Sequence, residues 1–197
     1  MKKRDAILKT AARLFAVQGF DGTTTIQIAR EAGVTEPLIY YHFKGKDDLF
    51  THIIAATFSE YFSRIDDLEK NPDSPFGQIQ KLIELQYDIA EEMPEEVQLI
   101  ANTCPAKLND PQDTCAGNVR EYRRRLMTYL NRSLSEGIET GEFTPVPLEK
   151  TATLILSLIN GIVRYRDINK NMREAAVDFC RRSLMNGSKG GNQEIKP

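Results

Sequence analysis

Residues 24–46, TTIQIAREAGVTEPLIYYHFKGK, crowd hydrogen-bonding side chains into one short stretch. Tyr40, Tyr41 and His42 follow one another, Thr24 and Thr25 stand upstream, Thr35 and Glu36 lie between, and Lys46 closes the stretch. Phenol, hydroxyl, imidazole and ammonium groups donate to the phosphate oxygens of duplex DNA, which makes Thr24, Thr25, Tyr40, His42 and Lys46 candidate phosphate anchors. A carboxylate such as Glu36 accepts from a cytosine amine, and apolar atoms such as those of Pro37 and Leu38 touch a thymine methyl, so Thr35, Glu36, Pro37, Leu38 and Tyr41 are candidate base readers. Two plainer readings stay open: corner packing for Tyr40 and His42, and an interior position for Leu38. The residues do not suit catalysis. His42 and His52 are the only histidines, and no Ser/His/Asp set, carboxylate pair, glycine-rich phosphate loop or HExxH motif accompanies them.

Groups of this kind need rigid elements beneath them. Thr24 and Gln27, three apart ahead of Ile28 and Ala29, form a Thr-x-x-Gln capping pattern that starts a helix near Thr25. Gly33 supplies the left-handed residue that ends it. Thr35 can cap a second helix over Glu36 to about Tyr41, with Pro37 in its first turn, where a missing N–H costs little. Three consecutive residues cannot all face one core on a 3.6-residue period, so some of the rings at 40–42 must look outward. Two short helices joined by a tight turn make a helix-turn-helix, whose second helix is narrow enough for a major groove. Ahead of it, Lys3 to Gln18 forms a bracing helix with Ile7, Leu8, Ala11, Leu14 and Phe15 inward. The basic start, Lys2, Lys3 and Arg4, is either a solvated end or a further phosphate contact.

The joint pattern resembles the N-terminal domain of the TetR family of bacterial transcriptional repressors. It is carried by Ile7-Leu8, Ala11-Ala12, Leu14-Phe15, Gly19-Phe20, Thr23-Thr24, Ile28-Ala29, Ala32-Gly33-Val34, Thr35, Tyr40, His42-Phe43, Lys46 and Leu49. Glu136 to Phe143 is similar to that family's Gly-x-x-x-Gly-Glu-Phe turn. The resemblance implies a homodimeric one-component regulator, no enzyme, whose C-terminal domain binds a small-molecule effector and releases a near-palindromic double-stranded DNA operator. The rival from another class is a helical ligand-binding or redox-sensing protein whose head engages protein partners.

Composition agrees with local rather than global DNA affinity. The formal net charge is −2, but residues 1–50 hold eight Lys and Arg against six Asp and Glu, leaving the remainder acidic. A mildly basic head on an acidic body suits phosphate contact at one place. Three cysteines without CxxC or Cys/His spacing give neither a disulfide scaffold nor a zinc site, and no metal or cofactor is implied. Cys104 and Cys115 flank a loop and could form a switch disulfide, but with no thiol geometry given by their spacing the expectation is that both are reduced bystanders in a cytoplasmic protein. No apolar run approaches the ~20 residues of a membrane helix.

The expected fold is all-α, with a three-helix DNA-binding domain over 1–48, an effector-binding and dimerisation domain over 49–186 and a disordered tail over 187–197. From Asp47 a long helix runs to about Asn71, followed by helices at Phe76 to Glu92 and Pro94 to Thr103, a loop at Pro105 to Gly117, and helices at Asn118 to Thr140, Pro147 to Asn169 and Met172 to Asn186. Phe62, Ile83, Tyr87, Met93 and Leu99 are candidates to line an effector pocket. Cys104, Tyr122, Leu126 and Tyr129 complete that set, Tyr87, Tyr122 and Tyr129 as polar handles for a hydrophobic or aromatic ligand; the plainer reading of most of the set is ordinary core, since a stripe at helical spacing needs no ligand. The helix after Pro147 is apolar nearly all round, so Leu154, Ile155, Leu158, Ile159 and Ile162, with Phe179 of the last helix, are expected to form a four-helix seam between two subunits.

Overall fold

The computed structural model describes residues 2–71, 73–107, 114–164 and 172–185. Among these residues the fold is helical throughout: α1 Lys3–Gln18, α2 Thr25–Glu31, α3 Glu36–His42, α4 Lys46–Lys70, α5 Pro75–Glu92, α6 Pro94–Lys107, α7 Thr114–Glu139, α8 Leu148–Arg164 and α9 Met172–Leu184. The expected loop at 105–117 is shorter than its Pro, Asn, Asp and Gly content suggests, because α6 runs through Pro105 to Lys107 and α7 begins at Thr114. Cys115 and Ala116 are buried, so packing holds the first turn of α7 helical despite Gly117. The tail at 187–197 lies outside the described residues.

Two compact units divide the chain. The first comprises Met1–Asp67 and Tyr87–Arg125, the second Leu68–Gln86 and Leu126–Pro197. Compactness draws a different line from the expected division after residue 48, because α6 packs on α1 and groups with the N-terminal helices.

In the first unit, Ile7, Ala11, Leu14 and Phe15 of α1, Ile28 and Ala29 of α2, Ile39 of α3 and Leu49, Phe50 and Ile53 of α4 form the head's core. Phe15, Phe20 and Phe50 make an aromatic triad with centroids 5.3–6.3 Å apart. Further along α4, Phe58 stacks on Phe62 at 5.9 Å, and Tyr122 of α7 meets Tyr61 edge-on at 5.0 Å. Arg64 ties Glu60 of its own helix to Glu92 of α5.

The second unit is organised by a buried polar knot. Gln78 of α5 receives a hydrogen bond from Ser133 Oγ at 2.7 Å and donates to Glu136 at 2.9 Å, while Tyr129 donates its hydroxyl to the Gln78 carbonyl at 3.3 Å. Every group in that knot is used, which is the condition under which burial of polar atoms is tolerated. The α7–α8 turn is equally constrained. Gly141 takes φ +78°, and a Cβ on Gly137 would stand 2.1 Å from the Phe143 ring, so no larger residue fits beneath that buried phenylalanine. Phe143 pairs with Met185 in an isolated antiparallel bridge, fixing the end of α9 to the turn.

Candidate nucleic-acid interface

The helix-turn-helix begins with the capping box expected from Thr24 and Gln27. The Gln27 N–H donates to Thr24 Oγ1 at 3.2 Å, and Thr24 N–H donates to Gln27 Oε1 at 2.9 Å. The Thr24 hydroxyl is therefore occupied within the cap, with Gln27 Oε1 a further 3.2 Å partner. At the other end of α2, Gly33 sits at φ +65° while the Val34 N–H reaches back to the Ala29 carbonyl at 2.9 Å. That six-to-one bond is the Schellman turn that only a residue without a Cβ enters at no cost, and it sets the angle of α3.

Along α3 only Ile39 is fully buried, and Leu38 is half-buried. Tyr40 and Tyr41 are 55% and 80% exposed, while His42 is half-buried with its ring against Tyr41 and Phe43. Thr35 and Pro37 are exposed at the helix entry. Thr35 stands at the N-cap but makes no side-chain cap bond, which differs from the expected capping role and leaves its hydroxyl without a partner among the described residues. Thr25 differs in the opposite sense. Its hydroxyl donates to Glu36 Oε1 at 2.7 Å across the turn and lies 3.4 Å from the Tyr40 hydroxyl. Of the three threonines considered for DNA, Thr24 and Thr25 thus already have intramolecular partners for their hydroxyls.

Lys46 turns inward. Its ammonium donates to the Phe20 carbonyl at 2.8 Å and sits 4.3 Å from the centroid of the Phe20 ring, stapling the start of α4 to the α1–α2 turn. Two of its three donors remain for a phosphate. Lys44, not among the expected anchors, is exposed at the α3–α4 corner, where its backbone N–H donates to Asp48 Oδ2 at 2.9 Å. The signal was present: a lysine between two short elements has few apolar surfaces to serve. Arg4 is also placed, its guanidinium 5.2 Å from the Phe43 centroid at the end of α3. His52 packs edge-on against the same ring at 5.3 Å and is bound through Nδ1 to the Asp48 carbonyl at 2.8 Å. Tyr40 and Tyr41 thus stand exposed on α3, with Lys44 exposed at the α3–α4 corner.

The effector candidates fall in both units. Phe62, Tyr87, Met93, Leu99 and Tyr122 belong to the first, and Ile83, Leu126 and Tyr129 to the second. Ile83, Leu99, Leu126 and Tyr129 are core residues at 1% exposure or less. Tyr129 spends its hydroxyl on Gln78, and burial pushes that phenol up to about 12. Burial likewise raises the Tyr122 phenol well above its ordinary range, so it remains a protonated donor. Phe62 is half-buried beneath the Arg125 guanidinium, 4.6 Å from its centroid. An open cleft of about 330 Å³ in the second unit is lined by charged residues such as Asp73, Lys81, Glu84 and Arg181, and by none of these candidates. Cys104 lies outside the residues whose side chains are described. Cys115 is disulfide-bonded, against the expectation of a reduced thiol, and Cys180 is a free buried thiol.

Of the dimerisation candidates, Leu154 and Phe179 are 70% and 62% exposed and Leu158 is half-buried. Ile155 and Ile159 are buried within the subunit, where α8 packs on α9, so they serve its own core rather than a seam. Ile162 lies outside the residues whose side chains are described. Thr153, Ser157 and Asn160 share exposure with Leu154 on α8.

Residues 7–53 match the family model described as bacterial regulatory proteins, tetR family. The HTH-type transcriptional repressor KstR2 of Mycobacterium tuberculosis is 24% identical over 143 residues, covering 73% of this chain and 70% of that protein. The solved structure of the ketosteroid transcriptional regulator KstR2 from the same organism superposes with a TM-score of 0.79 at 18% identity, covering 94% of this chain and 96% of that one, a likeness of fold. The transcriptional regulator FadR from Bacillus subtilis, solved in complex with stearoyl-CoA, gives a TM-score of 0.66 at 16% identity over 90% of this chain and 97% of that one.

Proposed function

We propose that this chain, whose residues 7–53 match the tetR family model, is a homodimeric repressor of that family, released from its operator by a small hydrophobic or aromatic molecule. Its named relatives are transcriptional regulators and not enzymes. The observation that carries the proposal is the pair of exposed phenols on α3, Tyr40 and Tyr41, beside the single buried Ile39. Two large rings left exposed side by side on a seven-residue helix suit a surface that a partner covers.

Each subunit presents one α3, and two of them fit successive major grooves of a near-palindromic site when held ~34–36 Å apart. Exposed Leu154 and Phe179 support an isologous seam made by α8 and α9 of two subunits. An effector shifts the heads through α4, whose first turns carry Leu49 and Phe50 of the head core, and through α6, which packs on α1. A hydrophobic or aromatic effector is supported by the aromatic group of Phe58, Tyr61, Phe62 and Tyr122. It is also in keeping with relatives of this fold, one named for ketosteroids and one solved with stearoyl-CoA. The acting compartment is the cytoplasm, where the operator is.

The test is anisotropy with the full chain on duplexes from a random-sequence selection, followed by a thermal-shift panel of steroids, long-chain acyl-CoAs and aromatic acids. Selection of an inverted repeat, affinity falling steeply with salt, and release by a compound that also raises the melting temperature are the expected results. Absence of binding to any duplex by folded dimer would sink the reading.

A further inference from the structure

We infer that Thr25 is a positioning residue for base recognition, holding the Glu36 carboxylate where it accepts a hydrogen bond from a cytosine amine. The inference rests on the DNA-binding reading above and deepens it.

Thr25 opens α2 and Glu36 opens α3, eleven residues apart, and the turn brings Oγ1 to 2.7 Å from Oε1. A threonine hydroxyl has one proton. Given to a carboxylate, that proton forms a charge-assisted bond and is not available to a phosphate. Tyr40 lies 3.4 Å from the same Oγ1, and with the threonine proton already committed, the phenol is the donor in that contact. The order is therefore Tyr40 to Thr25 to Glu36, a chain of hydroxyls ending on an anion.

Glu36 is the first residue of α3, with Pro37 next in the chain, and its side chain is long and flexible. The bond from Thr25 removes the remaining freedom of its carboxylate, leaving Oε2 without a partner among the described residues. On a surface whose other groups meet phosphates, an anion is repelled by every DNA backbone oxygen. The donor that suits it in the major groove is the exocyclic amine of cytosine. A preorganised acceptor discriminates better than a mobile one, because less freedom is lost on binding. Thr25 thus acts on which base is chosen rather than on how tightly DNA in general is held.

The experiment is selection from randomised duplexes with the full chain, comparing wild type with Thr25→Val, Thr25→Ala, Thr25→Ser and Glu36→Gln, each checked for its melting transition. Glu36→Gln should replace cytosine by adenine at one base pair of each half-site, since an amide pairs with adenine. Thr25→Val and Thr25→Ala should cut the cytosine preference at that same base pair by about tenfold, with any loss of affinity for non-cognate duplex smaller than that. Thr25→Ser, which keeps the hydroxyl, should restore it. Adding Thr25→Val to Glu36→Gln should change nothing further at that position.

A uniform loss of affinity in Thr25→Val and Thr25→Ala with the cytosine preference intact would overturn the inference and return Thr25 to phosphate contact. An unchanged base preference in Glu36→Gln would remove Glu36 from base reading while leaving the DNA-binding proposal standing. Failure of the folded wild type to select any duplex would sink that proposal itself.

Discussion

Replacement of Lys46 by methionine tests whether this cation is a structural staple as well as a phosphate donor. Methionine keeps the apolar stem over Phe20 but removes the ammonium that lies 2.8 Å from the Phe20 carbonyl and 4.3 Å from its ring. A hydrogen bond from a charged donor contributes about 1.5–3 kcal/mol, and a cation over an exposed ring about 0.5–1 kcal/mol. Lys46 is half-buried, so water replaces part of both interactions, and a net loss of about 2 kcal/mol follows. For a chain of this size that lowers the melting temperature by about 4–8 °C. The assay is thermal and urea unfolding at one fixed protein concentration, because a dimer's stability depends on it. In parallel, affinity for duplex DNA is read against salt, where loss of one phosphate contact lowers the slope by about 1. A melting temperature unchanged within a degree would refute the staple. A lowered one with an unchanged salt slope would show that the ammonium serves the fold alone.

Three further outcomes follow from the packing. Gly137→Ala forces a methyl against Phe143, and overpacking of this kind costs about 1–3 kcal/mol; urea denaturation should show it, and Phe143→Leu in the same chain should recover part of the loss. Leu154→Asp with Phe179→Asp removes two exposed apolar side chains per subunit; at about 1–2 kcal/mol each for the area a partner covers, dimer dissociation measured by sedimentation should rise by three or more powers of ten, and operator binding should go with it. A seam that persists at the same protein concentration would place dimerisation elsewhere. Glu96→Gln concerns pH. Burial, with a smaller contribution from neighbouring Glu95, raises the Glu96 carboxyl above its ordinary 4.5, against the lowering effects of a backbone hydrogen bond and Lys9. Because the folded form binds the proton more tightly than the unfolded form, the ionised carboxylate destabilises the fold above its raised pKa, and the penalty disappears as pH falls through that value towards 4.5. The glutamine variant should therefore melt higher than wild type at neutral pH, and the two should converge on acidification.

Local devices were legible because neighbours in the chain supply them. The Thr24–Gln27 capping box, the left-handed Gly33, Pro37 at the start of α3 and the outward turn of Tyr40 and Tyr41 each depend on residues within one or two helical turns. Helical periodicity gave the all-α class and the α1 limits for the same reason. Where composition argued against helix at Pro105 and Gly117, the chain is helical nonetheless, since propensity is a weak force beside the burial of Cys115 and Ala116.

The roles that changed all involve partners distant in sequence. Thr25 reads as a phosphate donor until α3 brings Glu36 against it, and Lys46 reads as a free cation until Phe20, twenty-six residues away, offers its carbonyl. An apolar helix such as α8 shows how much surface must be covered but not by what, so its periodicity could not separate Ile155 and Ile159, which are buried within the subunit, from Leu154, which stays open. The sequence by itself determined the all-α class and where the short helices α2 and α3 start and turn, because these depend on backbone geometry and near neighbours. Only the tertiary structure decided which hydroxyls and cations remain free for a partner, because a hydrogen bond is spent on whichever acceptor the fold brings within 3 Å.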